Sequence, residues 1–184
     1  MFGIQVRRWG TAGTMVAMLL LALSCGEPRA TAPKPTSSQS KNPGTNLLEC
    51  PSDQTTTTSS IVGLLGGVVQ LGATSISIPA GALLAPTPIR VTIPASTYME
   101  IDVTALDVVT AVPLQPFLFQ QPVSITIDYS RCNRNNINSE TLHVWHVDPV
   151  THELLEEMGG VVDDKDSRHI TFTTGHLSGY AVAD

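Results

Sequence analysis

Gly66-Gly67-Val68-Val69-Gln70-Leu71-Gly72-Ala73-Thr74-Ser75-Ile76-Ser77-Ile78-Pro79-Ala80-Gly81-Ala82-Leu83 reads as a glycine turn, a short strand, a second turn, a second strand and a stop. The two leading glycines can take positive φ at little steric cost, which suits a turn entering a sheet. Ser75, Ile76, Ser77 and Ile78 alternate polar and apolar, the period-two pattern of a half-buried strand. Pro79 has no N–H to give to a ladder, so the strand ends there or lies at an edge, and Gly81 permits another sharp turn. On spacing alone this is a hairpin that any extracellular sandwich could contain.

Downstream the pattern repeats. Ile89-Arg90-Val91-Thr92-Ile93 alternates and stops at Pro94. Residues 106–112 are apolar enough for a central strand, and Pro113 and Pro116 break the chain after it. Residues 123–129 give the cleanest alternation, with Val123, Ile125, Ile127 and Tyr129 on one face. Residues 142–147 form the next strand, Asp148-Pro149-Val150-Thr151 is a turn signal, and 152–158 return as partner strand or as a helical turn. Gly159-Gly160 turns again; residues 168–173 and 179–183 complete the sheet around the polar loop 163–167. No long helical period occurs after Leu23. Many short strands separated by breakers predict an all-β fold, a single antiparallel β-sandwich.

The stretch 66–83 also resembles the start of a ZU-five domain, the module shared by zonula occludens proteins, netrin receptors and ankyrins, which has bacterial relatives. Gly-Gly, a strand, and a second strand ending Ile-Pro-x-Gly-Ala-Leu carry the resemblance. The closing Gly175-His176-Leu177-Ser178-Gly179-Tyr180-Ala181-Val182 supports it, and the middle is similar only in pattern. The resemblance covers residues 60–184 and implies a β-sandwich that binds proteins. No partner-contacting residue of the eukaryotic members has a matching motif here.

Residues 1–24 read as a lipoprotein signal peptide. Arg7 and Arg8 form its positive region, and 15–23 an apolar core too short for a permanent membrane helix. Leu21-Ala22-Leu23-Ser24-Cys25 resembles a bacterial lipobox, which would make Cys25 the lipid-bearing residue; a plain signal peptide with Cys25 incidental is the alternative. By that resemblance Gly26 favours the outer membrane of a Gram-negative envelope. Residues 25–60 are Pro-, Ser- and Thr-rich, with too little apolar surface to offset chain entropy, and are expected to be a linker ahead of a domain at 61–184. About 125 residues suffice for one core and not for two.

Apart from Cys25 the cysteines are Cys50 and Cys132. Two cysteines in an exported chain are expected to pair, closing a loop of roughly 80 residues; free thiols are the alternative, with Cys50 in a segment that looks exposed.

The net charge is −6, and removal of Arg7 and Arg8 with the leader takes it near −8. With no basic patch interleaved with aromatics, nucleic acid is not an expected partner. Acidity also disfavours docking on anionic lipid, so membrane contact is expected through the lipid alone. His143 and His146, three apart on a strand, point to opposite faces, while His152, His169 and His176 lack zinc-like spacing. The acidic loop Asp163-Asp164-Lys165-Asp166 lacks the glycine and distal glutamate of a calcium loop. No metal and no cofactor is expected.

No nucleophile elbow, phosphate loop or paired-carboxylate motif is present. The one triplet with covalent potential is His176-Leu177-Ser178. By resemblance to self-cleaving ZU-five relatives, His176 would be the base, Ser178 the nucleophile and Leu177–Ser178 the scissile bond, helped by backbone strain. The alternative is a structural turn, as in non-cleaving members of the family. A carbohydrate-binding sandwich is a third possibility, weakened because Trp145 is the only tryptophan of the domain. The expectation is a non-catalytic, lipid-anchored cell-envelope protein with an unidentified protein partner; self-cleavage at Leu177–Ser178 is the alternative.

Overall fold

The computed structural model describes residues 47–133, 142–148, 151 and 153–183. The signal peptide, Cys25 and most of the expected linker lie outside them, as do Pro149, Val150 and His152.

The described residues are all-β, with no helix. In chain order the strands are β1 (Glu49–Ser52), β2 (Thr56–Val62), β3 (Gly67–Leu71), β4 (Thr74–Ile78), β5 (Thr87–Ile93), β6 (Ser96–Tyr98), β7 (Glu100–Ala105), β8 (Leu118–Asp128), β9 (His143–Val147), β10 (Leu154–Glu157), β11 (Val162–Asp164), β12 (His169–His176) and β13 (Gly179–Ala183). They form a six-stranded sheet, β10-β9-β13-β7-β5-β2, a five-stranded sheet, β11-β12-β8-β4-β3, and a small pair, β1-β6. Val69, Ile76, Ile125 and Phe172 of the five-stranded sheet share one buried cluster with Ile89, Val91, Ile101 and Tyr180 of the six-stranded sheet. Alternating apolar side chains from two sheets thus interdigitate, as in other sandwiches.

The hairpin 66–78 forms as its sequence predicts. Gly66, Gly72 and Gly81 have φ of 76°, 62° and 79°. Gly66 has a second reason to be glycine: a Cβ there would run into the carbonyl oxygen of Ile78 and come within 2.7 Å of the Pro79 carbonyl carbon. The turn at 63–66 is therefore packed on backbone, whereas a Cβ on Gly72 meets nothing within 4 Å. In β8, Val123, Ile125 and Ile127 are fully buried, and Tyr129 just beyond is nearly so. The segment 154–157 is strand, pairing with β9, and not a helical turn.

Two expectations need correction. The central strand placed at 106–112 is a loop; the strand is β7, immediately upstream. Asp107 accepts N–H bonds from Val109 (3.0 Å) and Thr110 (2.7 Å) and a hydroxyl bond from Thr110 (2.8 Å), an alternative to a ladder that ends the strand. Val108, Val109 and Val112 are left exposed. β7 is hard to see in the sequence because Glu100, Asp102 and Thr104 lower its hydropathy, although its alternation is regular. The second correction concerns the start of the sandwich. The tract read as linker up to residue 60 contains β1 and most of β2, which pairs with β5 from Thr56↔Ile93 to Val62↔Thr87. Its threonines and serines suit an edge strand facing water on most sides, where no apolar alternation is required.

Cys50 and Cys132 form a disulfide. Cys50 is fully buried and Cys132 nearly so, contrary to the exposed look of the flanking sequence. Arg131 donates to the Cys50 carbonyl (2.7 Å), holding the same junction.

This geometry sets the expected order of two glycine variants. Gly72→Ala costs about 1–2 kcal/mol for its left-handed backbone, and Gly66→Ala costs clearly more because the new Cβ strikes backbone; urea unfolding of both variants checks the order. With its cysteines 82 positions apart, the disulfide contributes about 4.5 kcal/mol in the chain-entropy model, so the unfolding midpoint of the Cys50→Ser, Cys132→Ser double variant falls sharply.

Candidate functional site

Antiparallel register gives the sandwich two ends. Val62, Thr87, Ala105, Gly179 and Val147 lie toward one end of the six-stranded sheet. Gly67, Ile78, Leu118 and His176 lie at the same end of the other sheet. The segments 63–66, 79–86, 106–117 and 177–178 cross between the sheets there. Leu47, the first described residue, bridges Ala183 at the opposite end, which also carries the disulfide.

The crossing end is apolar. Leu64, Leu65, Leu84, Val108, Val109 and Leu118 are exposed on it, Leu65 and Val109 each at 90%. Of its acids, Asp107 and Asp148 bind the N–H groups of their own loops, Asp148 that of Thr151 (2.7 Å), while Glu153 beside Asp148 is exposed. Exposed acids are more numerous at the other end, where Asp164 caps the β11–β12 turn through Asp166 and Ser167 (3.1 and 3.2 Å).

Within the apolar end lies a cleft of about 510 Å³ lined by Gln115, Pro116, Phe117, Leu118, His146, His176, Leu177 and Ser178. β13 creates it. Its pairing with β9 sets Gly179 beside Val147 and Tyr180 beside His146. His146 shares the inward face of β9 with the buried Val144, so it points between the sheets. There it meets His176 at the end of β12, with ring centroids 5.0 Å apart and nearly edge-on.

Of the triplet His176-Leu177-Ser178, the structure brings Ser178 to a histidine, but to His146: Oγ and Nε2 are 2.6 Å apart. His176 turns elsewhere, its Nδ1 3.3 Å from the Thr174 hydroxyl. The Tyr180 hydroxyl donates to the His176 carbonyl (2.7 Å), and burial pushes Tyr180 up to about 12, so it stays a donor. The Leu177 N–H donates to Phe117 (3.2 Å) and Val103 donates to the Ser178 carbonyl (3.0 Å), tying the turn to both neighbouring segments. Among the described residues with left-handed φ none lies in 175–179.

Nothing local in the sequence marks His146 as a partner for Ser178, because the two are 32 positions apart. Its phase with Val144 is the available signal. His143, on the outward face, pairs with Glu157 at 2.5 Å. Trp145 is half-buried on the outer face, with its indole nitrogen enclosed and lacking a partner among the described residues. In the acidic loop, Asp163 accepts a bond from the Tyr129 hydroxyl (2.6 Å).

The electrostatics of the pair favour a neutral imidazole. Burial lowers the pKa of His146 below its ordinary 6.5 and the neighbouring His176 lowers it further, while Glu156 and Asp148 pull the other way. A neutral His146 accepts the Ser178 hydroxyl proton at Nε2 and keeps its own at Nδ1. Ser178 thus has a hydrogen-bonded base and both groups face the cleft.

No protein-family model matches the chain, and no curated protein matches it in sequence.

Because the folded pKa of His146 lies below the unfolded one, the unfolded chain binds more protons below about 6.5 and stability falls on acidification. The contribution of neutral His146 is complete above 6.5 and is lost as pH drops through the folded value. NMR titration of the His146 ring is expected to give a midpoint below 6.5, and Ser178→Ala, which removes the bond to the neutral form, moves it upward.

Proposed function

We propose that this chain is a lipid-anchored cell-envelope protein whose sandwich, similar to a ZU-five domain, holds a protein partner at the end where its loops cross between the sheets. Export is supported by the leader and by Cys50 and Cys132 forming a disulfide, a bond characteristic of oxidising compartments. Anchoring rests on the lipobox-like residues ending at Cys25, and Gly26 favours the outer membrane or cell surface.

The observation that carries the binding role is the segregation of exposed apolar side chains. Leu64, Leu65, Leu84, Val108 and Val109 gather at the end opposite Leu47, the first described residue. Contiguous exposed apolar surface on a soluble domain marks an interaction site. Asp107 and Asp148 of this end are bonded to their own loops, and the exposed leucines and valines favour a partner with an apolar face.

The self-cleaving alternative would use the Ser178 hydroxyl on the Leu177 carbonyl, with His146 and not His176 as base. Backbone strain is its missing ingredient: 175–179 has no left-handed residue, and the turn is bonded on both sides. An intact chain is the reading this favours.

Two measurements test the proposal. Intact mass of protein taken from its own membrane is expected to start at acylated Cys25 and run to Asp184; an unmodified start elsewhere removes the anchor, and an end at Leu177 makes the protein self-processing. A photo-crosslinking residue at Leu65 is expected to capture one discrete protein in the envelope while one at Lys165 captures none. Equal capture at the two positions would remove the binding surface.

A further inference from the structure

The geometry points to a second capacity, beyond partner binding: Ser178 and His146 form a nucleophile–base pair acting on an external carboxylic ester with a small apolar acyl group, bound in the cleft beneath the apolar loops. Three observations carry it. The hydroxyl-to-imidazole contact is 2.6 Å, within the range of working nucleophile–base pairs. Both side chains are partly exposed, and both line the cleft, so a substrate can reach them. The cleft, about 510 Å³, lies within the size range of small-molecule sites, and Pro116, Phe117, Leu118 and Leu177 give it apolar walls.

The groups around the pair suit the chemistry. The titratable groups facing His146 are His176 at the end of β12, Tyr180 on β13, Glu156 on β10 and Asp148 after β9. Glu156 sits directly across from His146 in the β9–β10 register, so its charge favours the imidazolium that forms when the serine is deprotonated. Gln115, also on the cleft wall, carries amide N–H groups of the kind that stabilise an oxyanion.

The steps balance without any cofactor. The Ser178 Oγ forms a bond to the ester carbonyl carbon as its proton passes to Nε2 of His146. The tetrahedral adduct then breaks its bond to the alkoxy oxygen, which leaves as the alcohol with the proton from His146. Water next attacks the acyl-serine and gives a proton to His146. Collapse of that adduct releases the carboxylic acid and returns the proton to Oγ. Self-cleavage would instead spend Ser178 on the bond that holds it, so an intact chain is required.

The test uses the full-length chain with a fluorophosphonate probe and, separately, p-nitrophenyl butyrate. The expected result is one phosphonyl adduct on Ser178 of a chain that still ends at Asp184, with p-nitrophenol released catalytically. Ser178→Ala should abolish both, and His146→Gln should slow both by about 100-fold or more. His143→Ala, on the outer face, should leave both unchanged. The wild-type rate should fall on acidification with a midpoint below 6.5, as expected for a base of lowered pKa. An unlabelled wild-type chain, an adduct at another residue, equal rates in His146→Gln, or a chain ending at Leu177 would each overturn the inference. Loss of labelling leaves the partner-binding reading standing, since crosslinking at Leu65 does not depend on Ser178.

Discussion

The insertion of β13 between β7 and β9 is the constraint on which the rest depends. This strand is the last of the described strands, yet it occupies an interior place in the six-stranded sheet, and all of its residues are buried. Without it, β9 and β10 would have no ladder to the strands before them. The pairing joins segments far apart in sequence, so its loop-closure cost falls due before most of the apolar burial is gained. Tyr180 is where the gain is concentrated: its ring lies 5.0 Å from that of Phe172 on the opposing sheet, and its hydroxyl is bonded to Thr174 and to the His176 carbonyl.

The two ends of the sandwich are unlike. At one end four connections cross between the sheets, and several of their leucines and valines are exposed. At the other, the disulfide and the β1–β6 pair close the structure where the chain enters. The crossing loops are bonded to strands and to one another, as where Gly81 donates to Leu64 (2.8 Å) and Leu106 to Pro88 (2.9 Å).

The cleft illustrates how burial and register together create chemistry that neither residue type signals alone. A serine on a turn and a histidine on a strand are each ordinary. Placing His146 between the sheets disfavours its charged form, and a second histidine at 5.0 Å disfavours it further. A neutral imidazole then has an acceptor nitrogen to offer, and the Ser178 hydroxyl is the donor that reaches it.

Several features of this protein were determined by the sequence itself, because they are local. The glycine at position 66 and the alternation of Val123, Ile125 and Ile127 act through backbone sterics and a period of two, and the all-β class comes from their repetition. Pairing of Cys50 with Cys132 was expected once Cys25 was set aside as the lipid-bearing residue. Strand limits were less so where local hydropathy misleads: the valines after Asp107 are apolar but held in a loop by that carboxylate, and Thr56–Val62 is polar but held in a sheet by β5. Only the tertiary structure decided which histidine Ser178 meets. His176, two residues away, was the obvious choice by sequence, but neighbouring positions share a turn and need not face each other. Cross-strand register brought His146 to the hydroxyl from 32 residues off, and register is a property of the whole sheet.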